Sequence, residues 1–204
     1  MTLDALVAQI QAKAQTAGAK RFLLALAGPP ASGKSTLAAE LAERLSPGAR
    51  VVPMDGFHYD DRVLRARGLL SRKGAPNTFD VAGLAHLLTR LQNEDEVAIP
   101  LFDRDLEISR AGADIVTPDD KILIVEGNYL LLDAKPWTDL RQAFDLTVKL
   151  DVPEDELKRR LLARWLGHGK TQEQALAWIE GNDLPNALTV LAQSGPADIV
   201  LRNS

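Results

Sequence analysis

The sequence of 204 residues contains no cysteine. This absence excludes disulfide bonds, thiolate zinc sites and a cysteine nucleophile, and it fits a reducing compartment. No apolar run approaches the roughly 20 residues that a membrane-spanning helix needs. Residues 1–20 lack the apolar core of an export signal, and their larger apolar side chains fall instead at helical spacing. We therefore expect an amphipathic N-terminal helix in a cytoplasmic protein that does not enter a membrane.

An excess of basic residues is also missing, since 24 Lys and Arg residues stand against 28 Asp and Glu residues and the net charge is -4. This balance weighs against a dedicated nucleic-acid-binding protein. Apolar residues make up 46% of the chain and charged residues 25%, which is typical of a globular protein. We expect one domain over residues 1–204 that binds no nucleic acid, and a homodimer is compatible with these numbers.

Short apolar runs alternate with amphipathic helical patterns along the chain. The apolar runs are residues 22–27, 51–52, 122–125, 146–150 and 197–201, and the helical patterns are 34–45, 81–91 and 153–166. Apolar runs without alternation suit strands that are covered on both faces, so the pattern predicts an α/β fold around a parallel sheet. Residues 59–78 and 100–120 show neither pattern, and we expect substrate loops there.

The segment from Gly28 to Ser35 has the spacing G-x-x-x-x-G-K-S between an apolar run and a helical pattern, which is the context that this phosphate-binding motif requires. Its glycines let backbone N–H groups turn toward phosphate oxygens, and the following helix adds the positive end of its dipole. Lys34 supplies a cation to the terminal phosphates, and the Ser35 hydroxyl can hold Mg²⁺. The predicted nucleotide contacts are Gly28, Ala31, Ser32, Gly33, Lys34, Ser35 and Thr36. The alternative is a glycine-rich turn with a solvated lysine.

A phosphate-binding loop alone does not define the reaction. The sequence contains no Asn-Lys pair, so the base-reading segment of a guanine-nucleotide switch is missing. Asp80 opens a D-x-x-G match, but it precedes an amphipathic helical pattern, and we interpret it as a helix N-cap.

Two acidic residues follow predicted strands. Asp55 comes after the short run that ends at Pro53, at the edge where the functional groups of an open α/β sheet collect. A carboxylate there can accept the proton of an attacking hydroxyl, although Asp55-Gly56 is equally typical of a turn. Glu126 ends the most apolar run and can bind Mg²⁺ through water. A solvent-exposed strand end is the alternative for Glu126.

The helical pattern at residues 153–166 carries two arginines four residues apart, Arg160 and Arg164, with leucines on the opposite face. Arginines on a mobile helical lid can neutralise charge on a phosphoryl group during its transfer. The alternative is the solvated face of an ordinary amphipathic helix.

Four segments carry a family resemblance: residues 27–36, 54–58, 100–104 with Glu107, and 125–131. Together they resemble the P-loop kinase group that contains uridine kinase, phosphoribulokinase and bacterial pantothenate kinase, and especially its small bacterial fructokinase-like or nucleoside kinase-like members. The similarity extends from the first predicted strand to the last. Residues 102–104 lack the tyrosine and histidine pattern of the pantothenate and ribulose kinases, which argues against those two acceptors.

The resemblance implies a three-layer P-loop NTPase fold with a five-stranded parallel core sheet and a helical lid at about residues 153–182. It implies Asp55 as catalytic base, with Lys34 and the lid arginines Arg160 and Arg164 also acting in catalysis. The acceptor pocket is then expected to be lined by Phe57, His58, Phe102 and Arg104. Asn186, after the lid helices, is expected near the adenine.

The sequence therefore predicts a kinase that uses ATP and Mg²⁺ to phosphorylate a small-molecule hydroxyl, on a sugar or nucleoside-like acceptor. Two alternatives stay open. The first is a regulatory ATPase that has no small-molecule acceptor. The second is a kinase for a pantothenate-like acidic acceptor, whose charge Arg104 or Arg110 would bind.

Overall fold

The computed structural model describes residues 1–203. Its strands are β1 (Phe22–Ala27), β2 (Ala49–Pro53), β3 (Val97–Asp103), β4 (Ile108–Val116), β5 (Ile122–Gly127), β6 (Leu146–Asp151) and β7 (Ile199–Arg202). Its α-helices are α1 (Leu3–Thr16), α2 (Lys34–Arg44), α3 (Asp61–Ala66), α4 (Val81–Asn93), α5 (Glu154–Gly167), α6 (Gln172–Trp178) and α7 (Leu184–Gln193). No helix within residues 1–203 is long and apolar enough to cross a membrane.

Five strands form one parallel sheet in the order β2-β5-β1-β6-β7. The central strand β1 is buried along its whole length, and its side chains alternate between two apolar clusters. Leu23 and Ala25 belong to the cluster on one face, and Leu24 and Leu26 belong to the cluster on the other. The unbroken apolar run in the sequence therefore reflects a strand with both faces covered.

Helices cover both faces of this sheet. On one face, α1 and α2 contribute Leu6, Ile10 and Leu41 to the core. On the other, α4 contributes Leu84 and Leu88. The α/β fold with three layers and a five-stranded parallel sheet is thus confirmed. The helix start predicted at Asp80 is confirmed too, because its side chain accepts a hydrogen bond of 3.0 Å from the Gly83 backbone N–H.

Residues 100–120 are more regular than the sequence predicted. Most of them belong to an antiparallel hairpin of β3 and β4, which forms a separate two-stranded sheet. The pairing register shifts between Ile99 and Leu101, where Pro100 interrupts the ladder. A proline at a bulge and a largely solvent-exposed β4 hide the alternation that normally marks strands. Residues 59–78 contain α3 and two short 3-10 turns.

One buried arginine binds the loops at the amino end of β1. Arg21 is 2% exposed. Its guanidinium donates hydrogen bonds to five backbone carbonyl oxygens, those of Leu91, Glu94, Asp95, Thr117 and Asp120. It thereby holds the end of α4 and the turn before β5 against the sheet.

Candidate active site

The carboxyl ends of the parallel strands open into a cavity of about 660 Å³. This volume lies within the range of small-molecule sites. Thirteen of the predicted site residues line it: Ala31, Gly33, Lys34, Ser35, Thr36, Asp55, His58, Phe102, Arg104, Glu126, Arg160, Arg164 and Asn186. Each chain segment that reaches the cavity follows the carboxyl end of a strand or belongs to the β3–β4 hairpin, the lid helices or the loops beside them.

The phosphate-binding loop turns its backbone through left-handed conformations. Ala31 has φ 62° and Gly33 has φ 88°, and Gly33 stands at the N-cap of α2. Gly28 is needed for a different reason, which is space. A Cβ at Gly28 would lie 2.9 Å from Ser32 Oγ and 3.0 Å from Leu150 Cβ. The loop is therefore curled tightly enough to direct its N–H groups at one point in front of α2.

The polar side chains of this loop suit an anion. Lys34 is buried, its Nζ donates to the Pro29 carbonyl oxygen at 3.1 Å, and burial lowers its pKa against the opposing effect of Glu126. Ser32 is buried behind the loop, and its Oγ has no hydrogen-bond partner among residues 1–203. A buried ammonium next to a helix N-terminus fits a bound phosphate chain.

Ser35 and Glu126 lie side by side at the base of the cavity. Ser35 Oγ donates to Glu126 Oε1 at 3.3 Å. Burial raises the pKa of Glu126, while the nearby Lys34 opposes that shift. A hydroxyl and a carboxylate beside a phosphate site are oxygen ligands of the kind that Mg²⁺ uses together with substrate phosphates. Glu126 is 8% exposed, so it is not a solvated strand end.

Asp55 lies on the 3-10 helix Met54–Phe57 that follows β2, and its side chain reaches the cavity. Arg104 on the hairpin donates to Asp55 Oδ2 at 2.7 Å. The adjoining Gly56 is more than a turn residue, because a Cβ there would lie 2.3 Å from the Pro100 carbonyl oxygen. The glycine thus allows the hairpin to pack directly beside Asp55.

Aromatic rings surround His58 on the hairpin side of the cavity. Its ring centroid lies 4.0 Å from that of Phe79 and 5.0 Å from that of Phe102. His58 Nδ1 is buried and has no hydrogen-bond partner within residues 1–203. Phe57 was expected in this pocket, but it is not among the residues that line the cavity. Its side chain packs against the apolar core beside α4.

Burial lowers the pKa of His58 from 6.5 to about 4. The fold favours neutral His58, so its stabilising contribution is complete above pH 6.5 and is lost as the pH falls toward 4. We expect acidification through this window to cost up to about 3 kcal/mol of the free energy of unfolding. Urea unfolding at pH 7 and pH 4.5 measures it. His58→Gln should lose less stability on acidification than the wild type, whereas His86→Gln, at an exposed position, should lose the same amount. If His58→Gln lost as much stability on acidification as the wild type, His58 would not be the group that causes the loss.

The lid arginines face the phosphate-binding loop. Arg160 donates to Glu156 Oε1 at 2.5 Å and makes longer hydrogen bonds of 3.4 Å to the carbonyl oxygens of Ser32 and Asn203. Arg164 also lines the cavity. These positions differ from a purely solvated helix face. No motif in the sequence pointed to Asn203, whose side chain donates to the Ser32 carbonyl at 2.8 Å.

Asn186 is buried in α7 on the other side of the cavity. Its Oδ1 accepts a hydrogen bond of 3.3 Å from Arg72, and its Nδ2 donates to Asn182 Oδ1 at 3.4 Å. A Cβ added at Gly74 would lie 3.7 Å from Asn186 Nδ2. These contacts join Asn186 to residues 72–74 rather than to the phosphate-binding loop, so they do not support the predicted adenine contact.

Several residues of the cavity wall were missed in the sequence, among them Asp61, Lys73 and Trp178. Asp61 and Lys73 belong to the segment whose pattern was uninformative, and Trp178 lies on α6. Trp178 and Trp165 pack edge to face with centroids 5.8 Å apart. Their side chains become part of the site only when α3, the hairpin and the lid meet, and sequence spacing does not encode that meeting.

Comparison with known proteins agrees with this geometry. A solved structure from Silicibacter sp. TM1040, named a "putative fructose transport system kinase", is 47% identical, covers 98% of this chain and 99% of its own chain, and has a TM-score of 0.95. A "Putative uridine kinase" of Schizosaccharomyces pombe is 38% identical over 200 residues, or 90% of this chain and 83% of that protein. A pantothenate kinase of Streptomyces avermitilis is 33% identical over 156 residues, or 71% of this chain and 47% of that enzyme.

Residues 23–202 match the family described as "Phosphoribulokinase / Uridine kinase family". The match runs from β1 to the end of β7 and takes in the phosphate-binding loop, Asp55, Glu126 and the lid. It confirms the resemblance found in the sequence, and the family implies ATP and usually Mg²⁺. The chain is a P-loop phosphotransferase that belongs to the phosphoribulokinase and uridine kinase family.

Proposed function

We propose that this protein transfers the γ-phosphoryl group of ATP to a hydroxyl of a neutral sugar or nucleoside-like acceptor. The observation that carries the proposal is the placement of Asp55 in the same cavity as Lys34 and Glu126. A proton acceptor, a phosphate-binding lysine and a metal-binding carboxylate are the groups that direct phosphoryl transfer requires.

The chain's own residues fit ATP and Mg²⁺. The N–H groups of the curled loop and the Lys34 ammonium would hold phosphate oxygens. Ser35 and Glu126 would hold Mg²⁺, whose charge offsets that of the phosphates. A second cavity of about 430 Å³ lies beyond Gly33, between the start of α1, α2 and the end of β7. Because Arg160 and Gly33 line both cavities, we assign the adenine to this second cavity.

The proposed step releases one proton, and Asp55 is its acceptor. The acceptor oxygen forms a bond to the γ-phosphorus, the bond from that phosphorus to the ADP oxygen breaks, and the hydroxyl proton passes to Asp55. Arg104 holds the Asp55 carboxylate in the structure, so the acceptor hydroxyl must share or displace this contact. Arg160 and Arg164 then stabilise charge on the phosphoryl oxygens from the lid.

The charges beside Asp55 support a neutral acceptor. On the side formed by α3 and the hairpin, three carboxylates line the cavity, those of Asp55, Asp61 and Glu107. The two cations there are already paired, Arg104 with Asp55 at 2.7 Å and Lys73 with Asp61 at 2.8 Å. An excess of carboxylates accepts hydrogen bonds from hydroxyls and repels an anionic acceptor.

One competing acceptor class has specific support. Relatives named pantothenate kinase share a third of their aligned residues with this chain, and an Arg104 released from Asp55 would be free to bind a carboxylate. The pantothenate-like alternative therefore enters the test directly, as does the regulatory ATPase.

The test measures ADP release with three pairs of acceptors that differ in charge: D-fructose and fructose 6-phosphate, uridine and uridine monophosphate, panthenol and pantothenate. We expect at least one neutral member to raise ADP release, with a kcat/KM about a hundredfold above that of its anionic partner, since a like-charge contact costs several kcal/mol. A preference for pantothenate or for a phosphate would support the acidic-acceptor alternative. ADP release that ignores all six compounds would support the regulatory ATPase.

A further inference from the structure

Lys73 joins three segments that are far apart in the chain. Its side chain is 14% exposed, and its Nζ lies 2.8 Å from Asp61 Oδ1 at the start of α3. The same ammonium donates to the Glu107 carbonyl oxygen at 2.7 Å and lies 3.2 Å from Glu107 Oε2, at the tip of the hairpin. The Lys73 carbonyl accepts a hydrogen bond of 2.9 Å from Asn182 Nδ2.

The third of these segments is the π-helical turn Ile179–Asp183. It connects the lid helix α6 to α7, so Asn182 belongs to the end of the lid. Lys73 is therefore the point where α3, the hairpin and the lid region meet on the acceptor side of the cavity.

The hairpin tip has an unusual backbone at the residue that Lys73 holds. Glu107 has φ 55°, in the left-handed region that residues other than glycine and asparagine rarely adopt. In this conformation both the carbonyl and the carboxylate of Glu107 contact the Lys73 ammonium. Without the ammonium, this contact would no longer stabilise the left-handed backbone, and the tip would depend on the backbone N–H groups of Asp105 and Leu106, which donate to Asp103 Oδ1.

Relaxation of the tip would also alter the contacts around Asp55. Phe102 and Arg104 flank the tip on the β3 side, and the Lys73 ammonium lies 5.3 Å from the Phe102 ring centroid. Arg104 in turn contacts Asp55. The hairpin thus connects the Lys73 contact to the Asp55 carboxylate through residues of one strand and its tip.

We propose that Lys73 is a positioning residue that holds the hairpin tip closed over the acceptor and links this closure to the lid. The inference rests on the proposed function for its kinetic consequence. It assigns no direct contact between Lys73 and the acceptor, and this distinguishes it from a role in binding.

The first measurement is independent of any acceptor. Hydrogen–deuterium exchange at residues 103–108 of the ligand-free protein should be about tenfold faster in Lys73→Met than in the wild type. In the wild type, opening of the tip must break a charge-assisted contact, and the variant lacks that contact. Lys20→Met is the matched control. Lys20 also pairs with a carboxylate, Asp95 at 2.5 Å, and with a backbone carbonyl, that of Asn93 at 3.2 Å, but lies outside both cavities. Unchanged exchange at the tip in Lys73→Met would overturn the proposal whatever the kinetics show.

The second measurement uses whichever of the six acceptors above gives the highest rate. In Lys73→Met we expect the KM for that acceptor to rise about tenfold, while the KM for ATP stays within about twofold of the wild type. Glu107→Gln should raise the acceptor KM about threefold, because its carbonyl still accepts from Lys73. Lys73→Arg should recover most of the wild-type value, since the charge is kept.

The outcomes separate the two proposals. A raised acceptor KM in Lys73→Met with a normal value in Glu107→Gln would mean that Lys73 touches the acceptor itself, and the positioning role would be wrong. The positioning role would also be wrong if the KM for ATP rose as much in Lys73→Met as the KM for the acceptor. If the wild type phosphorylates none of the six compounds, the proposed function fails, and the exchange experiment still decides the role of Lys73.

Discussion

Replacing Asp55 with asparagine should lower turnover by at least about a hundredfold and leave ATP binding unchanged, the usual scale for removal of a general base. Asparagine has nearly the same shape, so the 3-10 helix and the packing of Gly56 against Pro100 are kept. The amide cannot accept the proton of the acceptor hydroxyl. Initial rates at saturating acceptor, together with a titration of the ATP affinity, measure the two quantities separately.

The control for this variant is Asp114→Asn. Asp114 also pairs with an arginine, Arg50 at 2.9 Å, but it lies on β4 outside the cavity. Its turnover should equal that of the wild type. If Asp55→Asn kept the turnover of the wild type, Asp55 would not be the base. If its ATP affinity fell as much as its turnover, Asp55 would instead belong to the nucleotide site.

Replacing Arg21 with methionine should lower the free energy of unfolding by about 3–5 kcal/mol, because a buried carbonyl oxygen that loses its hydrogen-bond donor costs about 1–3 kcal/mol. Methionine keeps much of the apolar stem, but five backbone carbonyl oxygens lose their common donor. Urea unfolding at pH 7 measures the loss.

Arg62→Met serves as the comparison, because Arg62 is exposed on α3. It should change the free energy of unfolding by less than about 0.5 kcal/mol, as most surface substitutions do. Arg21 lies at the amino end of β1, so the folded fraction of Arg21→Met should keep its kcat. A destabilisation of less than about 1 kcal/mol would show that water or the relaxed backbone replaces the guanidinium.

The parts of the fold that the sequence predicted are those whose physics is local. The unbroken apolar run of β1 and the glycine spacing of the loop need few distant partners, and the structure has both where the pattern put them. Asp55 could be proposed because it follows a strand, but its Arg104 partner brings in a hairpin 49 residues away in the chain. The hairpin itself was hidden, because the bulge at Pro100 breaks the alternation and β4 is largely exposed.

Other features of the site depend on which way a side chain points, and the sequence pattern does not determine that. Phe57 and His58 are neighbours in the chain, yet one packs into the core and the other lines the cavity. Asn186 follows the lid in sequence, but α7 carries it to the side of Arg72. Lys73 had no motif at all, because its role arises from three segments that meet only in the folded chain.

The position of β2 has a consequence for the order in which the site would come apart. The phosphate-binding loop extends from β1, which has a neighbouring strand on each side, whereas Asp55 follows β2, the edge strand with β5 as its single partner in the sheet. Local opening favours segments with fewer partners. We therefore expect the Asp55 segment to open at a lower free energy than the phosphate-binding loop. Mild stress would separate the proton acceptor from a nucleotide site that is still intact, so that loss of catalysis precedes loss of ATP binding.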